Sequence, residues 1–122
     1  MPRQILDEAH IHPAIREKIA THQSEVVREV QAAIASHPVV VVGMRQNPLP
    51  KKARALLDAN KIAYGYLEYG SYFAEWRRRG GLRIWTGWPT FPMIFVKGTL
   101  IGGYDDLKKL VDSGEFTRLL NG

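Results

Sequence analysis

No cysteine occurs anywhere in the 122 residues. That excludes disulfides, thiolate metal sites and any cysteine nucleophile supplied by this chain. Long apolar runs are also missing, and nothing approaches the roughly 18 residues that a membrane span needs. The opening Met-Pro-Arg-Gln-Ile-Leu-Asp-Glu-Ala-His has no apolar signal core, so the expected location is the cytoplasm. Internal repeats, low-complexity tracts and linkers are lacking. So are a Ser-His-Asp arrangement, a paired-carboxylate motif and a phosphate loop, which leaves those catalytic chemistries without support. His10, His12 and His22, three of the four histidines, could supply imidazole ligands. On a broken helix they point in different directions, so surface histidines rather than a metal site are expected.

What is present is a basic, ordinary globular composition. Hydrophobic residues make up 45% and charged residues 24%, which suits one soluble domain with a real core. The net charge of +5 favours either simple solubility or an anionic partner. The one dense basic run, Arg77-Arg78-Arg79, is read as a solvated helix face, so nucleic acid is not the expected partner.

Along the chain, residues 1–22 form a broken amphipathic piece in which Pro13 sits in the first turn of a helix. Ser24 is expected to cap a second helix reaching about residue 36, with Val26, Val27, Val30, Ala33 and Ile34 on its inner face. His37 precedes Pro38 and ends it. Residues 39–42, four valines, read as a central strand covered on both faces. Asn47-Pro48 opens the next helix as N-cap and first helical residue, with an end near residue 60. Residues 62–67 alternate and read as a second strand. A helix over 71–79 is expected to stop at Gly80-Gly81. Two early strands joined through a helix should be parallel, and a late hairpin completes a mixed four-stranded sheet. Residues 1–23 are thus a helical extension and 24–122 the domain.

The organising stretch is residues 88–106. Met93 to Val96 is a strand, Lys97-Gly98 its turn and Thr99 to Ile101 the returning strand. Pro92 heads the first strand, and the Phe91–Pro92 bond is a candidate cis bond. The backbone N–H and C=O of Phe91 are candidate partners for an extended ligand. Gly102-Gly103 permits close backbone approach, and Asp105 or Asp106 can cap the next helix, expected over 105–112. A last turn runs over 115–120. Trp76, Trp85 and Trp88 with Tyr69 and Tyr72 surround the arginine run; core packing explains most of them, and a partner surface is the alternative.

From about residue 25 to 120 the sequence resembles the glutaredoxins, in their single-cysteine subgroup. Trp88-Pro89-Thr90-Phe91-Pro92 matches the family's Trp-Pro-Thr-x-Pro, and Gly102-Gly103-Tyr104-Asp105 matches its Gly-Gly-Cys-Asp. Gly81-Leu82-Arg83-Ile84-Trp85-Thr86-Gly87 falls where the family has Gly-Ile-Lys-x-Tyr-Ser-Asn. Val39-Val40-Val41-Val42-Gly43-Met44-Arg45 falls on its first strand and the Met-Lys beyond. The resemblance implies an α/β, thioredoxin-like (glutaredoxin) fold. It also marks a departure: Asn47-Pro48-Leu49-Pro50 stand where the family has Cys-Gly-Phe-Ser, after a shortened loop. An amide is neither a nucleophile for disulfides nor an iron ligand, so thiol–disulfide exchange and cysteine-held iron–sulfur clusters are not expected.

By the same resemblance, Arg45 and Arg79 stand where basic residues meet a glycyl carboxylate. Thr90, Phe91 and Pro92 stand at the edge that pairs with a cysteinyl backbone, and Gly103, Tyr104 and Asp105 where the γ-glutamyl end is held. Glutathione or a similar anionic peptide is the implied ligand, with no catalytic residue and no certain cofactor. Two arginines suit a carboxylate, a free edge suits a peptide and a helix start suits an anion. The expectation is a redox-inactive, regulatory glutaredoxin-like protein. The alternative is an interaction module without a small ligand, using the Arg77–Arg79 and aromatic surface.

Overall fold

The four valines of the first strand decide the architecture. In the computed structural model, which describes residues 3–70 and 75–122, Val39 to Val42 are each 0–1% exposed. Strand side chains alternate between faces, so burial of all four requires cover on both sides. Val40 and Val42 pack with Val26, Val30, Leu82, Met93 and Phe95. Val39 and Val41 pack with Ala53, Leu57, Ile94, Val96, Leu107 and Phe116. Each fully buried aliphatic side chain contributes about 1.5–3 kcal/mol.

The elements run α1 (Pro13–Ala20), α2 (Ser24–Ser36), β1 (Val39–Gly43), α3 (Pro48–Ala59), β2 (Gly65–Glu68), α4 (Trp76–Thr86), β3 (Met93–Val96), β4 (Thr99–Gly102), α5 (Tyr104–Ser113) and α6 (Glu115–Asn121), after a 3-10 turn at Glu8–His10. The sheet order is β2-β1-β3-β4. β1 pairs parallel with β2 and antiparallel with β3, and β3 pairs antiparallel with β4. This is the mixed four-stranded sheet expected, with α2 and α4 supplying one face and α3, α5 and α6 the other. Among the described residues no helix is long and apolar enough to cross a membrane.

Three local expectations change. Gln23, in the left-handed region at φ 51, precedes α2 without a side-chain cap, and Ser24 is already helical. Its N–H is taken by the Thr21 carbonyl at 3.1 Å, so the preceding turn does the work assigned to the serine. The second strand begins at Gly65 rather than residue 62, because the Ile62 N–H closes onto the Leu57 carbonyl at the end of α3. The largest difference is α4. Its expected start at residue 71 lies outside the described residues, and it continues through Gly80-Gly81 to Thr86, ending at Gly87 with φ 76.

Packing overrides the glycines' low helix propensity. A Cβ at Gly81 would overlap the Cβ of Gln23 and lie 2.9 Å from its Cγ. The bare backbone there is what lets α4 approach the start of α2. Polar contacts complete the join. Arg78 bridges Glu29 at 2.7 Å and Glu75 at 3.3 Å, and the Tyr69 hydroxyl donates to Glu29 at 2.9 Å.

Two predictions follow from this packing. Nothing lies within 4 Å of a Cβ at Gly80, so Gly80→Ala should stabilise by about 0.4–1 kcal/mol. Gly81→Ala should destabilise by about 1–3 kcal/mol through overpacking; urea midpoints of the two variants must move in opposite directions. Burial, and then the neighbouring Glu68, push the Tyr66 phenol up to about 12. Burial and the Glu29 bond likewise raise Tyr69. The unfolded chain therefore loses these protons near pH 10 while the folded one keeps them, so stability present below pH 10 falls as pH rises towards 12. Unfolding midpoints at pH 9 and 11 should show the fall, and Tyr66→Phe should shrink it.

Candidate functional site

The expected site residues fall in three groups around the ends of β1, β3 and α5. The Phe91–Pro92 bond is cis. Phe91 is 3% exposed, its ring beneath the Arg83 guanidinium at 5.6 Å, while Thr90 is exposed on the turn. β3 begins one residue after Pro92.

The start of α5 lies against this turn. A Cβ at Gly103 would sit 3.5 Å from the Pro92 carbonyl oxygen and 3.8 Å from the Trp88 indole. Gly102, at φ 113, could carry no side chain without overlapping the Asp106 carboxylate. Asp106 rather than Asp105 caps the helix, its Oδ2 accepting from the Gly103 N–H at 3.0 Å. Asp105 is left exposed on the first turn, and Tyr104 is half-buried. The Trp88 Nε1–H is buried beside Gly103 without a hydrogen-bond partner among the described residues. Sequence reasoning treated Trp88 as motif and core; its orphaned donor is visible only in three dimensions.

Asn47 forms the third side. It is the N-cap of α3 as expected, Oδ1 accepting from the Leu49 N–H at 3.0 Å. Its Nδ2 also donates to the Phe91 carbonyl at 3.1 Å, a link that nothing local in sequence announces. The expectation that both Phe91 backbone groups stand free is therefore corrected: the N–H does among the described residues, the carbonyl does not. Pro48 and Pro50 carry no N–H, so this helix start offers few donors to an anion.

The two arginines behave differently. Arg45 has a side chain 71% exposed and meets Glu68 at 3.2 Å. Glu68 also accepts from the Tyr66 hydroxyl at 3.1 Å. Such an exposed pair is worth about 0–1 kcal/mol, so Arg45 can leave it cheaply. Arg79 is 4% exposed and donates from Nη1 to the Tyr69 carbonyl at 2.9 Å. The Tyr69 N–H in turn donates to Gly43 at 2.9 Å, so Arg79 holds the chain leaving β2. The arginine run is accordingly not one solvated face. Arg77 lies over Trp76, Arg78 is ion-paired and Arg79 is buried. Tyr72 lies outside the described residues.

The histidines form no metal cluster among the described residues; His12 Nδ1 accepts from the Ala14 N–H and caps α1. A further surface joins Trp85 to two isoleucines that were not anticipated. Ile19, Ile84 and Trp85 are exposed at 49%, 63% and 36% and line a shallow cavity of about 260 Å³ between α1, α2 and α4.

A family model described as Glutaredoxin matches residues 39–101. A "Glutaredoxin-like protein" of Dictyostelium discoideum is 45% identical over 96 residues, 79% of this chain and 78% of that protein. The "Monothiol glutaredoxin-4" of Schizosaccharomyces pombe is 31% identical over 70 residues, 57% of this chain but only 28% of that protein. Among solved structures, a buckwheat glutaredoxin–glutathione complex aligns with TM-score 0.72 at 23% identity, covering 82% of this chain and 91% of that one. At that identity the likeness is one of fold, thioredoxin-like. Taken with the Trp-Pro-Thr-x-Pro turn seated against α5, these matches settle the lineage: this cysteine-free chain belongs to the glutaredoxin family.

Proposed function

We propose that the chain binds glutathione, or a similar γ-glutamyl peptide, and does not carry out thiol–disulfide exchange, so that its role is regulatory. The carrying observation is the junction of the Pro92 turn with the start of α5, where the Pro92 carbonyl and the Trp88 indole lie 3.5 and 3.8 Å from a Cβ at Gly103. One ligand can span a strand edge and a helix start there. Peptide main chain pairs with the Phe91 edge. The α-carboxylate of the γ-glutamyl end meets the N–H groups that open α5. Its ammonium meets the exposed Asp105 carboxylate. Arg45, released from Glu68, takes the glycyl carboxylate as a planar fork. Arg79 contributes by fixing the wall at Tyr69. The glutathione carried by the buckwheat relative of the same fold supports this choice of ligand.

Redox inactivity rests on chemistry. Exchange needs a thiolate to attack a disulfide sulfur, and this chain has no cysteine. The domain at 24–122 would hold the ligand, with residues 1–23 as a helical extension. A second reading, an interaction module without a small ligand, is favoured by the exposed Trp76, Ile84 and Trp85.

Calorimetric titration with glutathione separates the two. Saturable heat is expected, weakened about tenfold or more by Asp105→Ala or Arg45→Ala, since a hydrogen bond to a charged group is worth about 1.5–3 kcal/mol. No heat at millimolar glutathione would remove the binding proposal. Turnover by the pure chain in a glutathione-dependent disulfide reduction assay would remove the claim of inactivity.

A further inference from the structure

We propose that the Asn47 carboxamide is an internal occupant of this groove. It holds the Phe91 carbonyl that an extended ligand's N–H would otherwise meet, and so determines which peptides are admitted. The inference rests on the proposed peptide site and adds a residue that governs its selectivity. Asn47 and Phe91 are 44 positions apart, joined by an Nδ2–H donated to the Phe91 oxygen at 3.1 Å. The amide is held from its other end as well, because Oδ1 accepts from the Leu49 N–H at 3.0 Å. Capping fixes the side chain in one orientation, and that orientation aims the NH2 at the strand edge. A peptide N–H and a carboxamide N–H are the same kind of donor. The bond therefore imitates, within the chain, half of the pairing that an added strand would make.

The consequence is an asymmetric edge. The Phe91 N–H donates to no group among the described residues, whereas its carbonyl is occupied. A wild-type groove thus gains from a ligand carbonyl and gains little from the ligand's central N–H. Peptides that lack this N–H should be tolerated, and ones that carry it should bind below the limit set by an open edge. Two roles of Asn47 are separable by chemistry. The cap needs only an oxygen acceptor near Cβ, which serine and threonine provide. Contact with Phe91 needs a donor at the end of the longer amide. Asn47→Ser therefore removes the occupant and leaves the helix capped.

The test titrates wild type and Asn47→Ser with S-methylglutathione, which cannot form disulfides. A second ligand is its ester analogue, with oxygen in place of the γ-glutamyl amide N–H. The expected result is that Asn47→Ser binds the amide ligand about two- to tenfold more tightly, the range set by one net hydrogen bond. The ester should cost the variant several-fold and the wild type little. Equal binding of the amide by both proteins, with equal loss on going to the ester, overturns the role of Asn47 and leaves the glutathione proposal standing. No binding by either protein removes both. Should Asn47→Ser lack a cooperative unfolding transition, Asn47→Thr carries the same measurements, since it also caps and its hydroxyl is likewise shorter than the amide that reaches Phe91.

Discussion

Burial of β1 on both faces is the constraint on which the remaining structure depends. Four successive valines with 0–1% exposure demand two layers of helices and two strand neighbours, and the sheet order places β1 between β2 and β3. The demand continues past the last valine. A Cβ at Gly43 would lie 2.7 Å from the Pro50 Cβ and 3.0 Å from the Tyr66 ring. Absence of that atom lets α3 start close against the sheet, which brings Asn47 within reach of Phe91. The core thus fixes the site: close packing of apolar strands and the hydrogen bond at the groove are consecutive steps of one chain path.

The polar contacts around the sheet's end divide into held and releasable ones. Glu29 accepts from both Tyr69 and Arg78, and Arg79 fixes the Tyr69 carbonyl. Tyr69 and Arg79 are buried, where leaving a polar group unpartnered costs about 1–3 kcal/mol, and with the half-buried Glu29 and Arg78 they act as scaffold. Arg45 and Glu68 are exposed, where an ion pair contributes little. The proposed site would use both kinds: a wall that does not move and a cation that can. The basic residues that look alike in sequence are sorted into these roles by burial alone.

Much of the fold was legible in the residues, for reasons that are local. The valine run, the Asn47-Pro48 helix start, the Lys97-Gly98 turn and the Trp88 to Pro92 motif each carry their own physical signal within a few positions. What escaped depends on partners distant in sequence. Gly80-Gly81 reads as a helix stop until α2 is known to need the space over Gly81. Arg77-Arg78-Arg79 reads as a solvated face until Glu29 is placed, 49 positions from Arg78. Of the site, the Pro92 turn and the start of α5 could be named in advance, and their junction is found. The occupied Phe91 carbonyl and the orphaned Trp88 donor could not, because each is a relation between segments.

An amide at a helix start differs from a thiol there in more than reactivity. A thiolate carries charge and has no donor, so it depends on helix N–H groups for stabilisation and leaves neighbouring carbonyls alone. Asparagine is neutral and carries both an acceptor and two donors. At Asn47 the acceptor satisfies α3 and one of the two donors satisfies Phe91, so both ends of the amide are held by its own chain. Pro48 and Pro50 extend the same logic, since a helix start capped by a neutral amide has little use for the N–H groups they lack. A neutral cap, prolines in the first turn and an occupied Phe91 carbonyl are therefore mutually consistent. Together they make the start of α3 a structural joint with the Pro92 turn.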